Sequence, residues 1–205
     1  MVSFDETIRS ALASLPPPLA RRLGSVHFTV LDSLGRCSSR WTRTGEGIEV
    51  ELSGEDTNPH DCALELLTCL GQVVWESARR DERRAWLELL SEEMEAGVRG
   101  EIDEPSLDEK RLILSSSLLA RSPRRLEKYA RAAYAGTLAE YLHSLWHRVT
   151  VRRGPDFLPA IRLHGRFALF RRWFPQDRGR NPHGVHFSCR IGARRTSSTS
   201  RHMRS

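Results

Sequence analysis

The chain predicts a mainly helical α+β domain in which a small two- to three-strand sheet packs on four to five helices. Three observations carry that expectation. The runs 26–31 (VHFTVL) and 48–52 (IEVEL) are rich in β-branched and aromatic residues and read as strands. Residues 59–80 and 123–149 repeat apolar side chains at i, i+3, i+4 and i+7, the rhythm of helices burying one face. With 205 residues and 39% apolar content, the chain can bury one ordinary core, so one globular domain is expected over residues 1–178.

Residues 5–14 read as a short helix ending before the Pro16-Pro17-Pro18 break. Between the two strands, Asp32 to Gly47 is polar and glycine-containing, a hairpin-like connection or a long loop. Asn58 then offers an N-cap and Pro59 a first-turn residue for a helix over 59–80. Ala63, Leu66, Leu67, Leu70, Val73, Val74 and Ser77 form its stripe. A helix over 81–95 follows, closed by Gly97, with the charge runs Asp81 to Arg84 and Glu92 to Glu95 on a solvated face. Ser106-Leu107-Asp108-Glu109 has the form of a capping box and starts a helix running to about Ala120. Ser122-Pro123 starts the longest helix, and a last one over 158–174 stops at Pro175. Trp75, Trp86, Trp146 and Trp173 fall on or near apolar stripes and read as core or interface anchors.

The charge is unevenly placed. Net charge is +6, and residues 179–205 hold six arginines and no acid, which accounts for the whole excess. The domain itself is balanced, so nucleic acid is not an expected partner except through that basic tail. The tail is Arg/Ser-rich and is expected to be disordered. The first residues lack a continuous apolar run and no segment approaches a membrane span, so a cytoplasmic protein is expected. Cys37, Cys62, Cys69 and Cys189 form no C-x-x-C pair and read as buried apolar thiols rather than a disulfide or metal framework. Ser115-Ser116-Ser117 lacks a Gly-x-Ser-x-Gly setting, and no Gly-rich phosphate loop is present.

The strand at 48–52, the helix carrying Thr68-Cys69-Leu70-Gly71-Gln72 and the later run Tyr134-Ala135-Gly136-Thr137-Leu138-Ala139-Glu140-Tyr141-Leu142 resemble a compact gluzincin, a zincin-like metallopeptidase domain. The resemblance covers roughly residues 15–175 and implies a zincin-like fold. It also implies where His-Glu-x-Gly-His and a third ligand would stand. Thr68 and Gln72 occupy the histidine positions, Cys69 the glutamate position, and Ala132 or Gly136 the third-ligand position. None of these side chains can assemble a catalytic zinc centre. The expected function is therefore that of a pseudoenzyme with no catalytic residue and no cofactor, binding or structural in role. Its remaining cleft, with Glu76 and Tyr129 as further candidates, would take a peptide or protein partner. Gly71 costs about 1 kcal/mol in mid-helix against alanine, so close packing of another segment on that turn is expected.

An alternative reading is a metal-binding or hydrolytic protein using Glu140, His143 and His147, which lie within about 60° of one another on a helix. They point away from the stripe of Tyr134, Leu138, Tyr141 and Leu145, toward solvent or a groove covered by another segment. A site there needs a further partner, such as Glu76 or His60. A second alternative is a helical protein-interaction module presenting an exposed apolar patch.

Overall fold

The computed structural model describes residues 4–35, 37–54, 58–115, 122–147, 154–176 and 187–191. Helices α1 (Phe4–Ala13) and α2 (Pro17–Leu23) lead into strands β1 (Val26–Leu31), β2 (Ser39–Arg43) and β3 (Ile48–Ser53). Helices α3 (Pro59–Glu76), α4 (Arg80–Glu95), α5 (Glu104–Leu114), α6 (Pro123–Trp146) and α7 (Ala160–Trp173) follow, with strand β4 (Phe187–Ile191) last. The fold is α+β and mainly helical. No described helix is long and apolar enough to cross a membrane.

The sheet order is β2-β3-β1-β4, with β1 parallel to both of its neighbours and β2 antiparallel to β3 at one edge. Period-two alternation decides its buried face. Val26, Phe28 and Val30 of β1 pair in register with Ile48, Val50 and Leu52 of β3, and all six are buried. Helix α3 packs on the sheet, on α1 and on α6, so it is buried on most sides rather than along one stripe. Cys62, Leu66, Leu67, Cys69, Leu70, Val73 and Val74 all belong to the core, whereas Ser77 is only its exposed C-cap.

Several expectations need correction. Seven helices form among the described residues, more than the four to five expected, and the one with no counterpart among the helical segments read from the sequence is α2, because Pro16 to Pro18 start a helix as well as end one. Pro16 is the N-cap of α2, and a proline costs nothing in a first turn whose N–H has no intrahelical partner. The polar connection 32–47 contains β2, which forms a hairpin with β3. Helix α5 starts earlier than Ser106, because its cap is Asp103. Asp103 Oδ1 accepts from the Ser106 backbone N–H at 2.9 Å, and Ser106 is itself buried. Ser116 and Ser117 lie outside the described residues. Within the segment expected to be disordered, residues 187–191 form β4 against β1. Val185-His186-Phe187-Ser188-Cys189-Arg190-Ile191 does alternate apolar and polar residues, a strand signal masked by the surrounding arginines. Cys37 is exposed rather than buried.

The charge runs of α4 are not wholly solvated either. Glu82 is buried and paired with Arg22 at 2.9 Å and Arg79 at 3.0 Å. Glu93 is fully buried. Its partner is Arg166 of α7, at 2.6 Å, and Arg166 also holds Glu101 at 2.7 Å. Lys110 Nζ and the Tyr129 hydroxyl donate to the same Glu101 carboxylate, at 2.9 and 2.5 Å. Two cations and two carboxylates thus neutralise one another inside the core, with every side chain in contact with an opposite charge.

Candidate functional site

Helices α3 and α6 run antiparallel, as the contacts His60 to His143, Gly71 to Ala135 and Trp75 to Glu127 show in order along the pair. Their closest approach is at Gly71, where a Cβ would stand 2.7 Å from the Ala135 carbonyl oxygen. The backbone contact expected of a mid-helix glycine is therefore present. This approach sets the rest of the cleft.

Thr68 and Gly136 line a cavity of about 210 Å³, together with Leu64, Ile102, Asp103 and Glu140 among others. One turn along, Gln72 and Ala132 line a shallower depression with Pro105, Asp108, Lys128 and Arg131. Thr68 with Gly136, and Gln72 with Ala132, thus line shared depressions between α3 and α6. The side chains are already engaged elsewhere. Thr68 Oγ1 donates to the Leu64 carbonyl at 3.0 Å, and Gln72 Oε1 accepts from Trp41 Nε1 of β2 at 2.9 Å. Ser39 of β2 donates to Glu65 at 2.9 Å, so the edge strand is strapped beside this stretch of α3.

Three expected cleft residues lie elsewhere. Cys69 is turned into the core at 1% exposure, and burial pushes its thiol up to about 11, so it cannot serve as a base toward the cleft. Tyr129 is fully buried in the ion-pair network, its hydroxyl donating to Glu101, and it lines neither depression although Glu101 lines the first. Glu76 is exposed at the far end of α3, 3.3 Å from Arg131.

Asp103 is the site residue that the sequence reading missed. A Cβ on Gly136 would overlap its carboxylate, so Asp103 fills the space that a longer side chain from Gly136 would need. Burial pushes its carboxyl upward, against two hydrogen bonds from Ser106. Asp103-Glu104-Pro105 carries a helix-start signal of its own, an Asp cap with proline in the first turn, which could have located it.

The alternative set lies where α3 begins and α6 ends. His143 is mostly buried and Glu140 partly so, with Glu140 Oε2 3.3 Å from His143 Nδ1. His60 lies against them, its Nε2 2.9 Å from His143 Nε2, and His147 joins the group from the end of α6. No protein-family model matches this chain, and no curated protein or solved structure is significantly similar to it.

Proposed function

We propose that this chain is a zincin-like domain that does not cut peptides, and that the cleft between α3 and α6 binds a peptide or protein segment. The observation that carries the reading is the pairing of Thr68 with Gly136 and of Gln72 with Ala132 across one helix pair. Thr68 and Gln72 stand where the resemblance implies the histidine pair and Ala132 or Gly136 where it implies the third ligand, and residues 68 and 60 positions apart in sequence have no reason to meet there by composition alone. Their chemistry supports inactivity. A hydroxyl, an amide, a methyl group and a glycine supply neither an imidazole pair nor a base for a metal-bound water. Strand β2 supports a binding role, because it is the outer strand of the sheet beside α3 and can extend onto an incoming strand.

The test compares the wild type with a Thr68→His/Cys69→Glu/Gln72→His variant. Zinc-supplemented wild type is expected to leave unstructured peptides intact. The variant, made with His60 and His143 replaced by alanine so that no native imidazole pair competes, should bind zinc at least tenfold more tightly than its parent. Cleavage by the wild type that Gln72→Ala abolishes overturns the reading, as does a folded variant without added zinc affinity.

A further inference from the structure

We propose that His60, His143 and His147 form a zinc-class metal site at the end of the helix pair where α3 begins and α6 ends. The antiparallel packing brings His60, from the first turn of α3, to His143 in the last turn of α6, 83 residues away, and to His147 at its C-cap. The protonation pattern is the first argument. His143 turns its Nδ1 to Glu140 Oε2 at 3.3 Å, and His60 turns its Nδ1 toward Asp61 Oδ1 at 3.9 Å. A carboxylate only accepts, so the Glu140 contact favours an N–H at Nδ1 of His143 and a lone pair at its Nε2, whereas Asp61 is beyond hydrogen-bond reach and does not fix the His60 tautomer. Yet the two Nε2 atoms face each other at 2.9 Å. The His143 lone pair at that distance needs a positive centre opposite it, either a proton on His60 Nε2 or a metal ion shared by both rings. Carboxylate behind imidazole behind metal is the usual support of a histidine ligand.

The placement of the rings is the second argument. With Zn–N bonds of about 2.0–2.1 Å, tetrahedral imidazole ligands have ring centres about 5.2 Å apart. The three ring centres here are separated by 4.8, 5.4 and 6.0 Å. The ring positions are those of such a site, while the ring rotations are not. Among the described residues no group of three donors already stands in a metal-holding arrangement. His147, edge-on to His60 at 89°, must rotate, and the Nε2 pair must open from 2.9 Å to about 3.3 Å. Trp146 stacks on His60 with centroids 5.4 Å apart and covers one side of the group. Three imidazoles select zinc, nickel or copper over magnesium or calcium. The site uses none of Thr68, Cys69 or Gln72, so it stands whether or not the zincin reading holds.

The experiment is calorimetric titration of the full chain with Zn²⁺ near neutral pH, with folding followed by circular dichroism. About one ion per chain at micromolar affinity or better is expected. His60→Ala and His143→Ala should each weaken binding at least tenfold with the fold intact. Glu140→Gln should weaken it about tenfold through the His143 ring, and Thr68→Ala should leave it unchanged. Absence of zinc binding below millimolar concentration overturns the proposal and leaves a plain histidine–histidine hydrogen bond. So does binding that survives the His60→Ala/His143→Ala double variant, which would assign the ion to other donors such as His183 and His186.

Discussion

Gly71 of α3 stands against Ala135 of α6 so closely that a Cβ on the glycine would lie 2.7 Å from the alanine's carbonyl oxygen and 2.8 Å from its Cα. Both are backbone atoms of a packed helix and cannot rotate aside. Gly71→Ala gains about 1 kcal/mol of helix propensity but forces the two axes apart along their whole contact. A net loss of about 2 kcal/mol is expected from overpacking, read as a lower urea midpoint at unchanged slope. A variant as stable as the wild type would mean that the helices slide freely.

Gly136 and Asp103 offer a sharper version of the same experiment. Gly136→Ala places a methyl group in the Asp103 carboxylate, and Asp103→Ala removes the obstacle along with an N-cap worth about 1 kcal/mol. The double variant should be more stable than the sum of the single losses by about 1 kcal/mol or more. Simple additivity would refute the overlap.

Arg166 answers for two carboxylates at zero exposure. Arg166→Met leaves Glu93 and Glu101 facing each other with only Lys110 to compensate, and should cost at least about 3 kcal/mol. Chemical denaturation measures it. A loss under 1 kcal/mol would show that water reaches the network.

Acid should act through Glu101. Burial opposes its charge, but Arg166, Lys110 and the Tyr129 hydroxyl outweigh burial and hold the carboxyl down at about 2. In the unfolded chain the same group takes a proton near pH 4.5. Its contribution, about 3 kcal/mol, is complete above pH 4.5 and is lost as pH falls toward 2. Urea melts at pH 7, 5 and 3 should show a stability that is flat and then falling. A flat profile down to pH 3 would contradict the lowered carboxyl.

Thiol chemistry separates the cysteines. Cys37 is exposed, whereas Cys62 and Cys69 are buried, and burial pushes Cys69 up to about 11. At pH 8 an aromatic disulfide reagent should modify Cys37 quickly, and Cys62 and Cys69 only after denaturant is added. Mass spectrometry of the labelled peptides identifies each. Fast native labelling of Cys69 would place it on the cleft side of α3.

Periodicity made α3, α6, β1 and β3 legible, because each buries a face whose repeat is written in adjacent residues. Partnerships across the fold left no such trace. Glu93 looks like any other acid in a run from Glu92 to Glu95, and nothing near it in sequence announces an arginine 73 residues away. His60 was recognisable only as a conditional partner, since its meeting with His143 depends on the direction in which α3 crosses α6. Asp103 and the prolines before α2 are different cases. Their capping and first-turn chemistry was present in the sequence, but Ser106 offered a competing cap, and Pro16 to Pro18 read more readily as a stop.

Glu93 sits on α4, Glu101 on the connection to α5, Lys110 on α5, and Arg166 on α7, so the four charges satisfy one another only when all these segments are docked together. Releasing α7 by itself would leave Glu93 without its cation and two carboxylates sharing one lysine in apolar surroundings. Fraying of that helix, late in the chain though it is, would therefore demand nearly the free energy of opening the whole domain. Amide protons along α7 should then exchange with solvent as slowly as those of α3 at the centre, and the helical half should melt as one cooperative unit.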